Sequence, residues 1–429
     1  MSQKILNKLL IFFICVLPLI YFPFGFLKPL HMLFKTCFIY ICTIIIVFLC
    51  FILKYKKFDK TDILLIAFYF LNILSLCFSM NPKLSILGIT STMRYDGIIM
   101  LGAYLLIYYA SKYHYKFGKF DMPLLFSAGT IVCLFGIYQF ATFTQSNVSL
   151  NFTESVLKST LGNSNFVGSY LTLFIPALIT IYFLKGNLRY LLLSIIFLAT
   201  LVLSTARSAW IGIAVFSVFL IIFLIKNFEK RQIKNYIFIL ICFILVCVFA
   251  ICFEQITGNY VISHKFNNLI QDISNIAQGN ISLEMGTARI KIWSMVFDVI
   301  KSRPLLGTGP EALPMGLAKH SPEMFFKWIK ESNTFVDKAH NDYLQIAACT
   351  GIPSLVLYLA FLFLALKNNI KNMFKNKLCF IFFGTIIAYL VQAFFNISVI
   401  SVAPIFWFIL GISQNEDVKN KLEKIYFSE

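Results

Sequence analysis

Apolar runs long enough to cross a bilayer recur along this chain, and no other feature constrains its fold so tightly. A spanning helix needs about 20 mainly apolar residues. About twelve segments meet that description, at 9–26, 36–53, 62–80, 97–111, 123–143, 166–184, 189–205, 208–225, 236–253, 342–366, 378–396 and 398–413. Residues 189–225 must divide, because at about 1.5 Å per residue a single helix would overshoot the hydrocarbon core nearly twofold. The polar run Ser204-Thr205-Ala206-Arg207-Ser208 is the natural turn. The expected fold class is therefore all-α, a polytopic integral membrane protein of about 12 transmembrane helices. The first apolar run follows Lys4 and Lys8 and precedes no small-x-small cleavage site, so it reads as a retained span rather than a signal peptide.

Composition agrees. Of 429 residues, 59% are hydrophobic and 13% charged, and Phe alone contributes 48. A soluble globule carries about 25% charged residues. The 11 cysteines lie mostly in apolar runs and form no CxxC pair, which excludes a disulfide or zinc framework. The net charge of +18 would suggest nucleic acid in a soluble protein. Here its distribution is topological. With the N-terminus inside, the loops 54–61, 112–122, 185–189, 226–235 and 367–377, the tail from Gln414, and Lys4 and Lys8 hold 22 of the 37 basic residues. The short outer loops and turns hold six: Lys28, Lys35, Lys83, Arg94, Lys158 and Arg207. That is the positive-inside pattern, with both termini cytoplasmic and no nucleic-acid partner implied.

One outer segment stands apart. Residues 254–341 contain no spanning run, and their nine basic and eight acidic residues nearly cancel. Phe266, Leu269, Ile270, Ile273 and Ile276 predict one amphipathic helix ending at Gly279. Ile290, Trp293, Phe297 and Ile300 predict a second, opposed by Lys291, Ser294, Asp298 and Lys301. Ser321-Pro322-Glu323 predicts a third, with Ser321 as its cap. The expected organisation is 1–253 as nine membrane helices, 254–341 as a large loop of short helices on the outer face, and 342–429 as three further membrane helices with a cytoplasmic tail.

The predicted span interiors hold essentially no ionisable groups; Asn72, Gln139 and Gln392 are the polar exceptions. Coupled transporters generally keep such groups in their spans. Charge-bearing side chains gather instead on the outer side: Arg94 before the fourth span, Arg207 in the tight turn, Arg289 opening the second loop helix and His340 closing the loop. Arginine suits bidentate phosphate binding, and histidine suits proton abstraction near neutral pH. Taken singly, Arg94 and Arg207 read equally as interfacial side chains reaching headgroups, and His340 as a helix-start hydrogen bonder. His31, His114, His264 and His320 have no motif around them. Gly307-Thr308-Gly309 lacks the third glycine of a dinucleotide fingerprint and reads as a turn. There is no Asp-x-Asp pair, and residues 28–35 contain no acid, which disfavours a metal-dependent sugar transferase built on an acidic first loop.

Four motifs in order resemble the O-antigen ligase and O-antigen polymerase superfamily. They are Arg94-Tyr95-Asp96-Gly97; Ser204 through Trp210; Arg289-x-x-x-Trp293 followed by Arg303 through Pro310; and His340-Asn341-Asp342-Tyr343-Leu344-Gln345 running into Gly351-Ile352-Pro353. Gly162-Asn163-Ser164-Asn165-Phe166 is also similar to the family. The resemblance implies a metal-independent glycosyltransferase with a GT-C-like fold and no cofactor. It implies a glycan donor on undecaprenyl pyrophosphate, a hydroxyl-bearing glycan, lipid or protein acceptor, and a site at the outer face of the bacterial inner membrane. Arg207 and Arg289 match family arginines that bind the donor pyrophosphate, with Arg94 as a third contact, and His340 matches the histidine that activates the acceptor. A polymerase using the same donor is the alternative within the class; a lipid-linked glycan flippase is the alternative outside it.

Overall fold

The computed structural model describes residues 2–21, 30–53, 57–145, 157–226, 230–257, 260–280, 282–374 and 376–427. Lys28 lies outside them. Among the described residues the chain is helical, with one isolated β-bridge, Ile89 to Arg94. The first half comprises α1 (Ser2–Val16), α2 (His31–Ile52), α3 (Lys60–Cys77), α4 (Pro82–Leu87), α5 (Ile98–Tyr113) and α6 (Asp121–Gln145). Then come α7 (Ser164–Thr172), α8 (Ile175–Lys185), α9 (Leu188–Ser204), α10 (Arg207–Lys226) and α11 (Lys230–Thr257). The segment that follows folds as α12 (Val261–Ala277), α13 (Met285–Ser302), α14 (Leu313–His320) and α15 (Pro322–Ser332). The chain closes with α16 (Asp342–Thr350), α17 (Ile352–Met373), α18 (Phe380–Ala393), α19 (Ala403–Ser413) and α20 (Glu416–Phe427).

Among the described residues, eight helical segments are long and apolar enough to cross a membrane: α1 with the turn Leu17–Leu19, α2, α3, α6, the α7–α8 run, α10, α11 and α17. Helices α5, α9, α18 and α19 are shorter and apolar. Each predicted apolar segment finds a helix among the described residues, 22–26 of the first segment lying outside them, but three differ in extent, the one at 166–184 being interrupted between Thr172 and Ile175. The segment predicted at 342–366 breaks at Gly351 (φ +92°), with Pro353 opening α17 behind it. The segment predicted at 398–413 becomes helical only from Ala403.

Small residues let the central helices approach closely, as packing without a water-driven hydrophobic effect requires. A Cβ on Gly212 of α10 would stand 2.5 Å from the Ala388 carbonyl of α18, and one on Gly411 of α19 would stand 2.6 Å from that of Tyr108 on α5. Two buried lysines within the bundle are matched. Lys112 at the end of α5 pairs with Asp62 at 2.8 Å and Asp59 at 2.7 Å. Lys35, expected in an outer loop, lies in α2, fully buried, with Nζ donating to the Thr160 carbonyl and the Ser401 hydroxyl.

Helices α13 to α16 share a second apolar core built from Ile292, Met295, Val296, Val299, Leu317, Phe325 and Ala348. The buried face of α13 is therefore offset from the predicted stripe: Phe297 is half exposed, because Ile292, Met295 and Val299 face α14 and α16 instead. Ser321 precedes α15 as expected but makes no side-chain cap; its hydroxyl donates to Asp298 at 3.0 Å. Helix α14 was not predicted. Within this subdomain the Thr308 and Gly309 N–H groups donate to the carbonyls of Ala348 and Cys349. It seats on the bundle where the Ser75 hydroxyl donates to the Leu306 carbonyl, the Met80 N–H to that of Thr308 and the Ile352 N–H to that of Pro304. Gly307-Thr308-Gly309 is thus a docking turn.

Candidate active site

Each predicted site residue is presented by a sharp break in its helix or loop. Among the described residues, seven non-glycine residues have left-handed backbones, and four stand at or within two positions of the predicted ones: Met93 (φ +57°), Thr205 (+54°), Ala288 (+58°) and His340 itself (+50°). Such conformations cost about 1–3 kcal/mol each and persist where the surroundings enforce them, often at functional sites.

Arg207 begins α10, with only Thr205 and Ala206 between it and the end of α9. The turn is held by Trp210, whose Nε1–H donates to the Leu201 carbonyl at 3.0 Å. Gly168 of α7 allows the turn to seat, since a Cβ there would fall 2.5 Å from that of Ala206. The guanidinium is buried and donates through Nη1 to Asp272 of α12 at 3.2 Å.

Arg289 is the fifth residue of α13, at the start of its second turn. Its Nη1 makes a long contact to the Gly286 carbonyl at 3.4 Å, while Nε is buried with no hydrogen-bond partner. Burial, then the charge of Arg207, pull this guanidinium down to about 10, against an opposing effect from Asp272. It remains cationic at neutral pH and short of acceptors.

His340 ends an irregular segment fixed from several sides. Trp293 Nε1–H donates to the Ala339 carbonyl at 3.0 Å, and the Ala339 N–H donates to Gln345 Oε1 at 2.9 Å. Asn341 caps α16, its Oδ1 accepting from the N–H groups of Tyr343 and Leu344. Lys338 is buried between Glu311 Oε2 at 2.5 Å and Asp96 Oδ2 at 3.7 Å. Burial alone would lower the Lys338 ammonium, but Glu311 and Asp96 hold it above its ordinary value. His340 is pulled down to about 4, by burial first and then by the charges of Arg289, Arg94 and Lys338, with Asp337 opposing. The imidazole is therefore neutral at physiological pH and lies within the field of both arginines.

Arg94 also faces this segment, but its Nε donates to Asp337 at 3.0 Å and its guanidinium sits 5.5 Å over the Phe166 ring. That contact places Phe166, the last residue of the Gly162–Phe166 motif, beside Arg94. Burial would raise the Asp337 carboxyl, yet Arg94 holds it below the usual range.

The structure thus groups Arg207 with Arg289 around Asp272, and Arg94 with His340 through Asp337. Sequence reasoning missed Asp272, Asp337, Lys338 and Glu311. Asp337 and Lys338 flank His340 in the chain, which was the available signal; Asp272 and Glu311 had none. Among the described residues, no three His, Cys, Asp or Glu side chains are grouped as a metal site.

No curated protein matches the chain. Residues 192–359 match the O-antigen ligase family model, a stretch running from α9 into α17. It contains Arg207, Arg289, Trp293 and His340, and leaves out Arg94. Three of the four motifs lie inside that match, so this part of the chain is similar to the O-antigen ligase family.

Proposed function

We propose that the protein is a membrane glycosyltransferase that moves a glycan from undecaprenyl pyrophosphate to an acceptor hydroxyl, at the outer face of the bacterial inner membrane. The observation that carries this reading is the placement of a neutral imidazole, His340, within the field of an under-partnered arginine, Arg289. His340 takes the hydroxyl proton as that oxygen attacks the anomeric carbon. The bond from the anomeric carbon to the pyrophosphate oxygen breaks, and its electron pair leaves with the pyrophosphate. Arg207 and Arg289 stabilise the charge on that leaving group, an electrostatic role that needs no rearrangement at the moment of reaction.

An imidazole at about 4 is a weak base, and general bases work best near the operating pH. Donor binding supplies the correction. A pyrophosphate on Arg207 and Arg289 offsets the cationic field that holds His340 down, so the base strengthens once the donor is in place. Arg94 carries the expectation of a third phosphate contact; its ion pair with Asp337 supports a role in holding the His340 segment. A polymerase differs only in drawing its acceptor hydroxyl from a second lipid-linked glycan.

The test is His340→Ala in a host that supplies the donor. Glycan transfer is lost while expression and membrane insertion are retained; full transfer would refute the mechanism. Orientation is tested with Asn333→Cys, an exposed position, which labels from outside the cell. Labelling from the cytoplasm alone would reverse the topology.

A further inference from the structure

The arginine pair already holds an anion of the protein's own. Asp272 Oδ2 accepts from Arg207 Nη1 at 3.2 Å and from the backbone N–H of Gly286 at 3.3 Å. Arg289 lies in the field of the same carboxylate, with its Nε buried and unmatched. Ser208, next to Arg207, has a buried hydroxyl that is also unmatched. One carboxylate therefore satisfies only part of what these groups offer.

Asp272 rides on a loosely seated helix. Only Val261 and Ile262 of α12 are buried, at its start, where Glu254 accepts from the N–H groups of Ile262 and Ser263. Further along, Phe266, Ile270, Ile273 and Ile276 are all more than half exposed. Beyond that anchored start, Phe266 rests near Trp210 with ring centroids 6.3 Å apart, and Asp272 supplies a polar contact to Arg207. With so few side chains buried against the protein, the helix can shift away from Arg207 at little cost in protein packing while its apolar face stays on the membrane surface.

We propose that Asp272 is a specificity-determining residue, an internal anion that keeps phosphodiester headgroups off Arg207 and Arg289 and yields to a pyrophosphate. This rests on the functional reading above. A site opening on a bilayer is surrounded by lipid phosphates, and each phosphodiester carries a single charge. Exchanging a tethered carboxylate for one of these gains no charge and forfeits the high local concentration that the tether provides. A sugar–pyrophosphate–lipid diester carries a second charge and more acceptor oxygens, enough to engage Arg289 Nε and Arg207 together. A phosphodiester must displace Asp272 entirely, whereas the pyrophosphate also reaches Arg289 Nε and the Ser208 hydroxyl, which Asp272 leaves unmatched, and displaces it only in part; Asp272 therefore costs the two ligands unequally, and that inequality is the selectivity.

The experiment uses the full chain in detergent. Binding of a short-chain polyprenyl-pyrophosphoryl monosaccharide and of dioctanoyl phosphatidylglycerol is measured by microscale thermophoresis, for the native protein, Asp272→Asn and Asp272→Glu. Asp272→Asn gains affinity for phosphatidylglycerol by about tenfold or more, the size of one charge-assisted hydrogen bond no longer contested. It gains less for the pyrophosphate, so the preference falls, while Asp272→Glu keeps it. An unchanged preference, or weaker binding of both ligands, overturns the proposal. In the native protein, the pyrophosphate probe raises hydrogen exchange across 261–277; unaltered exchange there also overturns it. Arg289→Gln separates the two readings. If that variant binds the pyrophosphate as well as the native protein does, the donor site itself is wrong and Asp272 falls with it. If binding needs Arg289 while Asp272→Asn leaves the preference intact, only the role of Asp272 falls.

Discussion

Trp293 donates its indole N–H to the carbonyl of Ala339, the residue before His340, at 3.0 Å. The bond joins α13, which carries Arg289, to the segment that carries the histidine. The same indole packs edge-on against Phe394 with ring centroids 5.7 Å apart. Phosphate-binding and proton-accepting groups are thereby held in one frame.

Trp293→Phe keeps an aromatic ring at this position and leaves the Ala339 carbonyl without its donor. An unmatched buried carbonyl costs about 1–3 kcal/mol, and the segment relaxes to recover it. Displacement of a catalytic group by about 1 Å lowers rates by as much as about 100-fold. Transfer in this variant falls by about tenfold or more at unchanged donor affinity, measured as a turnover against a donor-binding curve. A loss of donor affinity with turnover intact would place the indole at the donor instead.

Burial and the surrounding charges set where the His340 imidazole titrates. Arg289 is the largest charge holding the imidazole down, after burial. Removing a cation makes protonation easier, so Arg289→Gln moves the midpoint up from about 4 toward the ordinary imidazole value. Asp337→Asn removes an opposing anion and moves it further down. With five histidines in the chain, carbon-13 histidine labelling and NMR resolve the titration. A downward shift in Arg289→Gln would contradict the arrangement.

Lys338 is expected to matter for stability as well as for the site. Lys338→Met leaves Glu311 and Asp96 buried without their cation, at a cost of about 3–5 kcal/mol. Adding Glu311→Gln removes one of the stranded charges and recovers part of that loss. The two single variants and the double variant, compared by thermal unfolding, give the coupling directly. Strict additivity would show that the pair does not act as a unit.

Gly351 is constrained twice over. Its φ of +92° disfavours any side chain, and a Cβ would meet the Leu305 carbonyl at 2.0 Å. Gly351→Ala therefore strains the break between α16 and α17 and pushes away the docking turn 304–309. The expected result is a lower unfolding temperature together with loss of transfer, since that turn supports Glu311 and so Lys338. A variant of native stability would show that the break is tolerant.

The apolar segments were legible because burial in hydrocarbon depends on local composition, which each stretch of about 20 residues carries by itself. The chemistry of Arg207, Arg289 and His340 was legible for a similar reason: residue type limits what a side chain can do. The stripe on α13 was misjudged because helical periodicity marks an apolar surface but not which neighbour will cover it. Phe297 and Met295 are both apolar, yet only Met295 faces α14 and α16.

The sequence by itself determined that the chain is helical and membrane-embedded, and which side chains were available for phosphate and proton chemistry. Only the tertiary structure decided their partners. Arg94 meets Asp337 from 243 positions away, and Arg207 meets Asp272 from 65. Electrostatic energy depends on distance in space and on the burial of both charges, and neither is a property of a linear pattern. Lys338 and Asp272 are ordinary surface charges in the sequence. In the fold, one braces the histidine and the other occupies the arginines.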